Sequence, residues 1–150
     1  QEMLDAALTA ARQTRPERRF TIHRDLPSEA VFIRTDADRL MQVFINLISN
    51  ARKYCDAESP ELRIAVRQRA GRVTIDIIDN GSGIPKHAQG LIFEKFVRLT
   101  DANRAGGAGL GLAICREVMA NLGGSVAYLP GQGGAAFRVT VPLRLELAAA

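Results

Sequence analysis

Tryptophan is missing from this 150-residue sequence, and aromatic residues as a whole make up only 5% of it. A chain so poor in flat side chains offers no stacking surface for bases, so its net charge of +4 does not by itself indicate nucleic acid. The basic residues are dispersed; cations that hold a polyphosphate or face a partner domain explain the excess equally well. Cysteine and histidine are scarce too, with two of each: Cys55 and Cys115, His23 and His87. Neither cysteine has metal-ligand spacing, and so few histidines argue against a zinc site. The cysteines read as reduced thiols of a cytoplasmic compartment, with a Cys55–Cys115 disulfide as the alternative. No apolar run approaches the ~20 residues of a membrane span, and no signal peptide is visible. There is no internal repeat and no low-complexity segment. The chain opens on Gln1, which suggests a fragment of something longer whose targeting and anchoring parts lie elsewhere. Its length suits one domain able to form a core without staples.

Hydrophobic periodicity orders the rest. Met3, Leu4, Ala7, Leu8 and Ala11 recur at helical spacing over 1–14, and Pro16 ends or interrupts that helix. Phe20 and Ile22, then Val31 and Ile33, indicate two short strands around an Asp25-Leu26-Pro27 turn. Asp36 is a candidate N-cap for a helix over roughly 37–54, whose apolar stripe is Leu40, Val43, Phe44, Leu47, Ala51 and Tyr54. Asn46, Asn50 and Lys53 fall on one line beside that stripe, which suits the wall of a cleft. Two alternating strands follow, one on Leu62, Ile64 and Val66, the next on Val73, Ile75 and Ile77. Continuing the second alternation turns Asp79 inward, where a carboxylate is costly unless something hydrogen-bonds to it. Residues 86–108 have weak periodicity and read as a mobile lid. A helix over about 109–122, with Leu110, Ile114 and Val118 on one side, stops at Gly123-Gly124. Strands near 125–129 and 135–142 close the domain.

The chemistry sits at the joints between these elements. Asp79-Asn80-Gly81-Ser82-Gly83-Ile84-Pro85 ends a strand on an acid and turns at once on glycines. An ionised carboxylate only accepts hydrogen bonds, so an inward Asp79 among Ile77, Ile78 and Ile84 would favour adenine's exocyclic amine over guanine's carbonyl. An Asx-turn or helix-cap role remains the plainer alternative. Gly81 and Gly83 let a ligand approach the main chain, or simply form a tight turn. Gly107, Gly109 and Gly111 open a helix whose free N–H groups suit phosphate. They form neither a P-loop, since no Gly-Lys-Ser/Thr follows, nor a convincing dinucleotide fingerprint, since no strand immediately precedes them. The amide oxygens of Asn46 and Asn50 suit a hard cation such as Mg²⁺, and Lys53 suits phosphate, against the alternative of a solvated helix face. Arg98 and Arg104 either reach terminal phosphates or are ordinary surface charge.

Taken together, these segments resemble the ATP-binding catalytic domain of two-component sensor histidine kinases, in the GHKL ATPase superfamily with its Bergerat ATP-binding fold. The stretch from Asp38 through Tyr54 looks like the N box and Asp79–Pro85 like the first G box. Phe93-Glu94-Lys95-Phe96 looks like the F box and Gly107–Leu112 like the second G box. The resemblance spans about residues 20–142. It implies an α/β fold, a two-layer sandwich in which helices cover one face of a mixed sheet and ATP lies between helices and a mobile lid. Residues 15–145 would be the ATP-binding catalytic domain, 1–14 a helix or linker remnant of a preceding dimerisation and acceptor domain, and 146–150 a tail.

By the same resemblance the cofactors are ATP and Mg²⁺, and Asn46, Asn50 and Lys53 are the candidate catalytic residues. Asn50 ligates the metal with Asn46 close to it, Lys53 contacts phosphate, and Tyr54 packs near the base. Asp79 holds the adenine amine in a pocket shaped by Gly81, Gly83 and Ile84. Gly109 and Gly111 lie at the phosphates, with Gly107, Leu110 and Leu112 also binding nucleotide. Phe93 and Phe96 anchor the lid, from which Arg98 and Arg104 reach the phosphates. The implied reaction is phosphoryl transfer to a histidine outside these residues, then to a response-regulator aspartate. The implied partners are therefore a histidine-containing dimerisation domain of the same protein and a receiver domain. Neither nucleic acid nor a membrane is expected to contact this fragment. The location would be cytoplasmic, including as the inner portion of a membrane-bound sensor. His23, in a strand pattern, and His87, at the lid, do not suit an acceptor. A serine kinase acting on anti-sigma partners and a non-catalytic nucleotide-binding module are the alternatives.

Overall fold

The computed structural model describes residues 2–11, 19–27, 33, 35–89, 92–93 and 111–143. In chain order these form α1 (Glu2–Ala11), β1 (Thr21–Asp25), α2 (Ala37–Tyr54), β2 (Glu61–Arg69) and β3 (Arg72–Asp79), followed by α3 (Gly111–Asn121), β4 (Ser125–Tyr128) and β5 (Ala136–Pro142). The sheet runs β1-β2-β3-β5-β4; β1 pairs parallel with β2, and every other pairing is antiparallel.

Helix α2 begins where Asp36 leaves extended backbone and accepts a hydrogen bond from the Arg39 N–H at 3.3 Å. A cap of this kind stabilises a helix by about 1 kcal/mol. Asp38 in the first turn and Arg52 and Lys53 in the last complement the helix dipole. Its stripe of Leu40, Val43, Phe44, Leu47 and Ile48 is buried against the inward rows of β2, β3 and β5. Each such side chain contributes about 1.5–3 kcal/mol of transfer free energy. Helix α1 adds Leu4, Ala7 and Ala11 to the same core, packed on α2.

All helical contributions reach the core from one face of the sheet, which is the expected two-layer α/β sandwich. The other face is polar. Arg138 donates through Nε and Nη2 to Asp76, at 2.8 and 2.9 Å, across the register that pairs these two residues. Arg67 and Arg63 donate to Asp25 at 2.6 and 3.3 Å and hold its carboxyl below the usual carboxylate range.

Two local expectations change. Of the two short strands expected around Asp25-Leu26-Pro27, the first is β1, which pairs in parallel with β2 (Thr21↔Glu61 to Asp25↔Ala65). Ile33 lies outside any strand, and Val31 lies outside the described residues. Parallel partners distant in sequence leave no local turn signal, so this pairing was not visible in the sequence. In α3, Ile114 does not share the buried side with Val118; it is 37% exposed. The buried stripe is Leu112, Cys115, Met119 and Leu122, with Val118 beside it, spaced three and four apart. Gly124 then ends the helix by donating to the Met119 carbonyl at 2.9 Å. Of the expected lid over 86–108, only residues 86–89 and 92–93 are described.

Candidate functional site

The end of β3 determines the site. Val73, Ile75, Ile77 and Asp79 alternate inward as the sequence pattern requires, and Asp79 is only 6% exposed. Its Oδ1 accepts two backbone N–H bonds, from Gly81 at 2.8 Å and Ala135 at 3.1 Å. Its own N–H donates to the Ala135 carbonyl at 3.0 Å. Burial pushes the Asp79 carboxyl above its usual range; the two amides oppose that shift in part, and the nearby Asp56 charge adds to it. Oδ2 takes no hydrogen bond among the described residues, while Asp79 lines a cavity.

That cavity is about 280 Å³, near the lower end of small-ligand pockets and large enough for a purine ring. Helix α2 supplies Leu47, Asn50, Ala51 and Tyr54 on one side, and Ile77, Asp79, Ala135 and Phe137 form the sheet side. Ser82, Gly83, Ile84 and Pro85 close one end, with Asp56 and Leu112 completing the wall. The result is a mostly apolar slot with one buried acid, the arrangement expected for a flat heterocycle read along a single polar edge.

The loop after Asp79 is held at alternate residues. Asn80 accepts from the Glu61 N–H at 2.8 Å and donates to the Ser59 carbonyl at 2.9 Å. Ser82 is gripped by Asp56, and the Ile84 N–H donates to Tyr128 Oη at 3.2 Å. Gly83 has φ +83, a conformation that an L side chain adopts only under strain. Across the slot, a Cβ on Gly134 would sit 1.9 Å from the Asp79 carbonyl oxygen, so only glycine lets this strand end approach β3 closely enough to bond it.

The structure therefore brings Asn50, Tyr54, Asp79, Gly83, Ile84 and Leu112 to one cavity. Gly81 lies directly behind it, on Asp79 Oδ1. Asn46 and Lys53 are half-buried on the same helix but are not among the residues lining the cavity. The Asn46 side chain lies within hydrogen-bonding reach of Cys115, whose thiol burial pushes up to about 11. Phe93 meets Phe137 edge to face, ring centroids 6.2 Å apart, and so stands behind the cavity wall. Gly111 is the first residue of α3. Phe96, Arg98, Arg104, Gly107, Gly109 and Leu110 lie outside the described residues.

Sequence reading missed Asp56, Tyr128, Gly134 and Ala135 as parts of the site. Gly133-Gly134 just before an alternating strand was the one available signal for a close approach. His23 is exposed, with Nε2 2.6 Å from Glu61 Oε1, and His87 is exposed in a turn. Both cysteines are free. A larger cavity, about 680 Å³, lies beneath α1 against Phe20, Ile22, Ile48 and Arg52, but it is lined by none of the candidate site residues.

Comparison with known proteins agrees with the fold. Residues 35–145 match the family model of histidine kinase-, DNA gyrase B- and HSP90-like ATPases. The chain is 41% identical, over 128 residues, to the sensor protein kinase WalK of Staphylococcus haemolyticus strain JCSC1435. That match takes in 81% of this chain and 21% of WalK, so the chain spans about a fifth of that relative's length. Among solved structures, a mycobacterial sensor histidine kinase, MprB, superposes with a TM-score of 0.78 at 26% identity, covering 97% of this chain and 96% of that one. Full-length ShkA in complex with AMPPNP superposes with a TM-score of 0.78 at 30% identity, covering 99% of this chain and 30% of that one.

Proposed function

The chain belongs to the histidine kinase-, DNA gyrase B- and HSP90-like ATPase family, and from that membership we propose that it binds Mg-ATP in the cavity between α2 and the 79–85 loop. The γ-phosphoryl group then passes to a histidine on a dimerisation domain outside these residues, for relay to an aspartate of a receiver domain. The work would take place in the cytoplasm, without contact to nucleic acid or membrane.

The observation that carries this reading is the buried Asp79. Two main-chain N–H groups hold its Oδ1, which leaves Oδ2 for an exocyclic amine in the slot. ShkA, which superposes on 99% of this chain, was solved with an ATP analogue. Ile77, Ala51, Leu47 and Phe137 would cover the faces of the base and exclude water from the Asp79 contact.

Among the described residues, no group of three or more His, Cys, Asp or Glu could hold a metal. The available donors on α2 are neutral amide oxygens, which suit Mg²⁺ arriving with its nucleotide and taking most of its ligands from phosphate and water. Asn50, at the cavity wall, would be the principal protein ligand, with Asn46 one turn earlier beside it. When bound, Mg²⁺ offsets charge on the phosphate oxygens. Lys53 would add a point charge, and the N-terminal turn of α3 free main-chain donors.

In the transfer, a lone pair on the acceptor imidazole forms the N–P bond as the bond to the β–γ bridging oxygen breaks, and ADP leaves. Such a reaction needs positioning and charge stabilisation more than covalent help. By the family resemblance, Asn46 stands where gyrase and chaperone relatives carry a Glu that activates water. An amide cannot take that proton at neutral pH, so hydrolysis by this chain should be slow.

The test combines the chain with a separately expressed acceptor hairpin and labelled ATP. Acid-labile label on histidine is the expected result. Acid-stable label on serine would make it an anti-sigma-type serine kinase, and no label a nucleotide-binding module. Hydrolysis by the chain alone at about 1 s⁻¹ or above would contradict the transfer reading.

A further inference from the structure

Asp56 has no part in the roles derived so far, yet it lies at the centre of the loop that presents Asp79. It follows the C-terminal turn of α2 and lines the cavity. Its Oδ1 accepts the Ser82 N–H at 2.8 Å, and its Oδ2 accepts the Ser82 hydroxyl at 2.7 Å. Gly81 is thereby enclosed between two carboxylates. A Cβ there would lie 2.9 Å from Asp56 Oδ1 and 3.2 Å from Asp79 Oδ1. The Gly81 N–H is one of the two donors that hold Asp79 Oδ1. The loop's other ties, at Asn80 and Ile84, run to β2 and β4. The tie at Ser82 is made by a charged side chain from outside β3 that also faces the slot.

We propose that Asp56 is a positioning residue for base selection: its two-oxygen grip on Ser82 sets Gly81 against Asp79 and so aims the open Asp79 oxygen at the purine edge. The role rests on the nucleotide reading above. Without the grip, the Gly81 N–H is no longer held on Oδ1, which keeps only the longer bond from the Ala135 N–H, and the carboxylate is freer to turn and present its oxygens in several orientations. Selection between an amine and a carbonyl at the same ring position depends on that orientation. Attachment of the rest of the nucleotide does not.

The experiment is a titration of the 150-residue chain with ATP and with inosine triphosphate, which carries a carbonyl in place of the amine. The wild-type chain should prefer ATP by about tenfold or more, the discrimination worth one charge-assisted hydrogen bond. Asp56→Ala should reduce that preference to within about threefold. Asp56→Asn should restore it, because the amide oxygen still accepts the Ser82 N–H and the NH₂ can donate to the hydroxyl. Ser82→Ala, an exposed position that keeps one of the two bonds, should give an intermediate preference and covers the case in which Asp56→Ala fails to fold.

A preference unchanged in Asp56→Ala, or in Ser82→Ala if that variant alone folds, overturns the role even if both nucleotides bind more weakly, since that pattern marks a merely structural tie. A wild-type chain that binds both nucleotides equally removes base selection at Asp79 and this role with it, whereas one that binds neither removes the nucleotide reading itself.

Discussion

Replacing Asp79 by asparagine separates the two things this carboxylate does. Its Oδ1 is committed to the N–H groups of Gly81 and Ala135. An asparagine must keep its single oxygen there, because an NH₂ would face two donors. The NH₂ is therefore forced to the Oδ2 side, where it meets the adenine amine donor to donor. The variant loses a charge-assisted acceptor worth about 1–3 kcal/mol and gains a repulsive contact, so ATP affinity should fall at least tenfold. The same NH₂ can donate to a purine carbonyl, so inosine triphosphate should lose less or gain.

Stability should move the other way. Burial raises the folded-state pKa of Asp79 above its unfolded value. The folded chain therefore holds the proton over the interval between the two, and stability falls as pH rises through it. Above the folded pKa the full cost remains. The uncharged amide of the Asp79→Asn variant carries no such cost, so the unliganded variant should melt at the wild-type temperature or higher at pH 7, without that slope. Calorimetric titration and melting across pH 4–8 read both quantities. Unchanged ATP affinity would remove Asp79 from the site. Equal losses for both nucleotides, together with a lower Tm, would show that the carboxylate is only a structural support.

The close approach at Gly134 gives a second test. Gly134→Ala sets a methyl 1.9 Å from a backbone oxygen, so it should cost about 3 kcal/mol or more, read as a Tm drop of roughly 6–12 °C; a wild-type Tm would mean that the strand ends are not packed as described. Asn50→Ala should weaken binding of Mg-ATP more than binding of metal-free ATP, and equal losses would deny Asn50 a metal role. Cys55 and Cys115, 2% and 0% exposed, with the Cys115 thiol raised to about 11 by burial, should resist iodoacetamide at pH 7.5 until the chain is unfolded. Rapid alkylation of either in the native chain would refute their burial.

Much of this site was legible because it follows short-range rules. The alternation through Val73, Ile75 and Ile77 carries inward to Asp79 without knowledge of the partner strands. The Asp36 cap and the three- and four-residue spacing fix which side of α2 is buried and leave Asn50 beside it. The unread parts are those in which residues distant in sequence meet. Asp56 and Ser82 are 26 apart, Asp79 and Ala135 are 56 apart, and β1 finds β2 rather than a neighbouring segment. Ile114 was misplaced for a related reason: one helical turn offers two overlapping apolar stripes, and only the packing of α3 on α2 and β4 decides between them.

The most direct test is a crystal structure of the chain with Mg²⁺ and a non-hydrolysable ATP analogue. The account predicts the adenine amine within hydrogen-bond distance of Asp79 Oδ2, the ring between Ala51 and Phe137, and the phosphates running toward Asn50 and the start of α3. A base lodged anywhere else, or an Asp79 Oδ2 that makes no contact with the bound nucleotide, would contradict it.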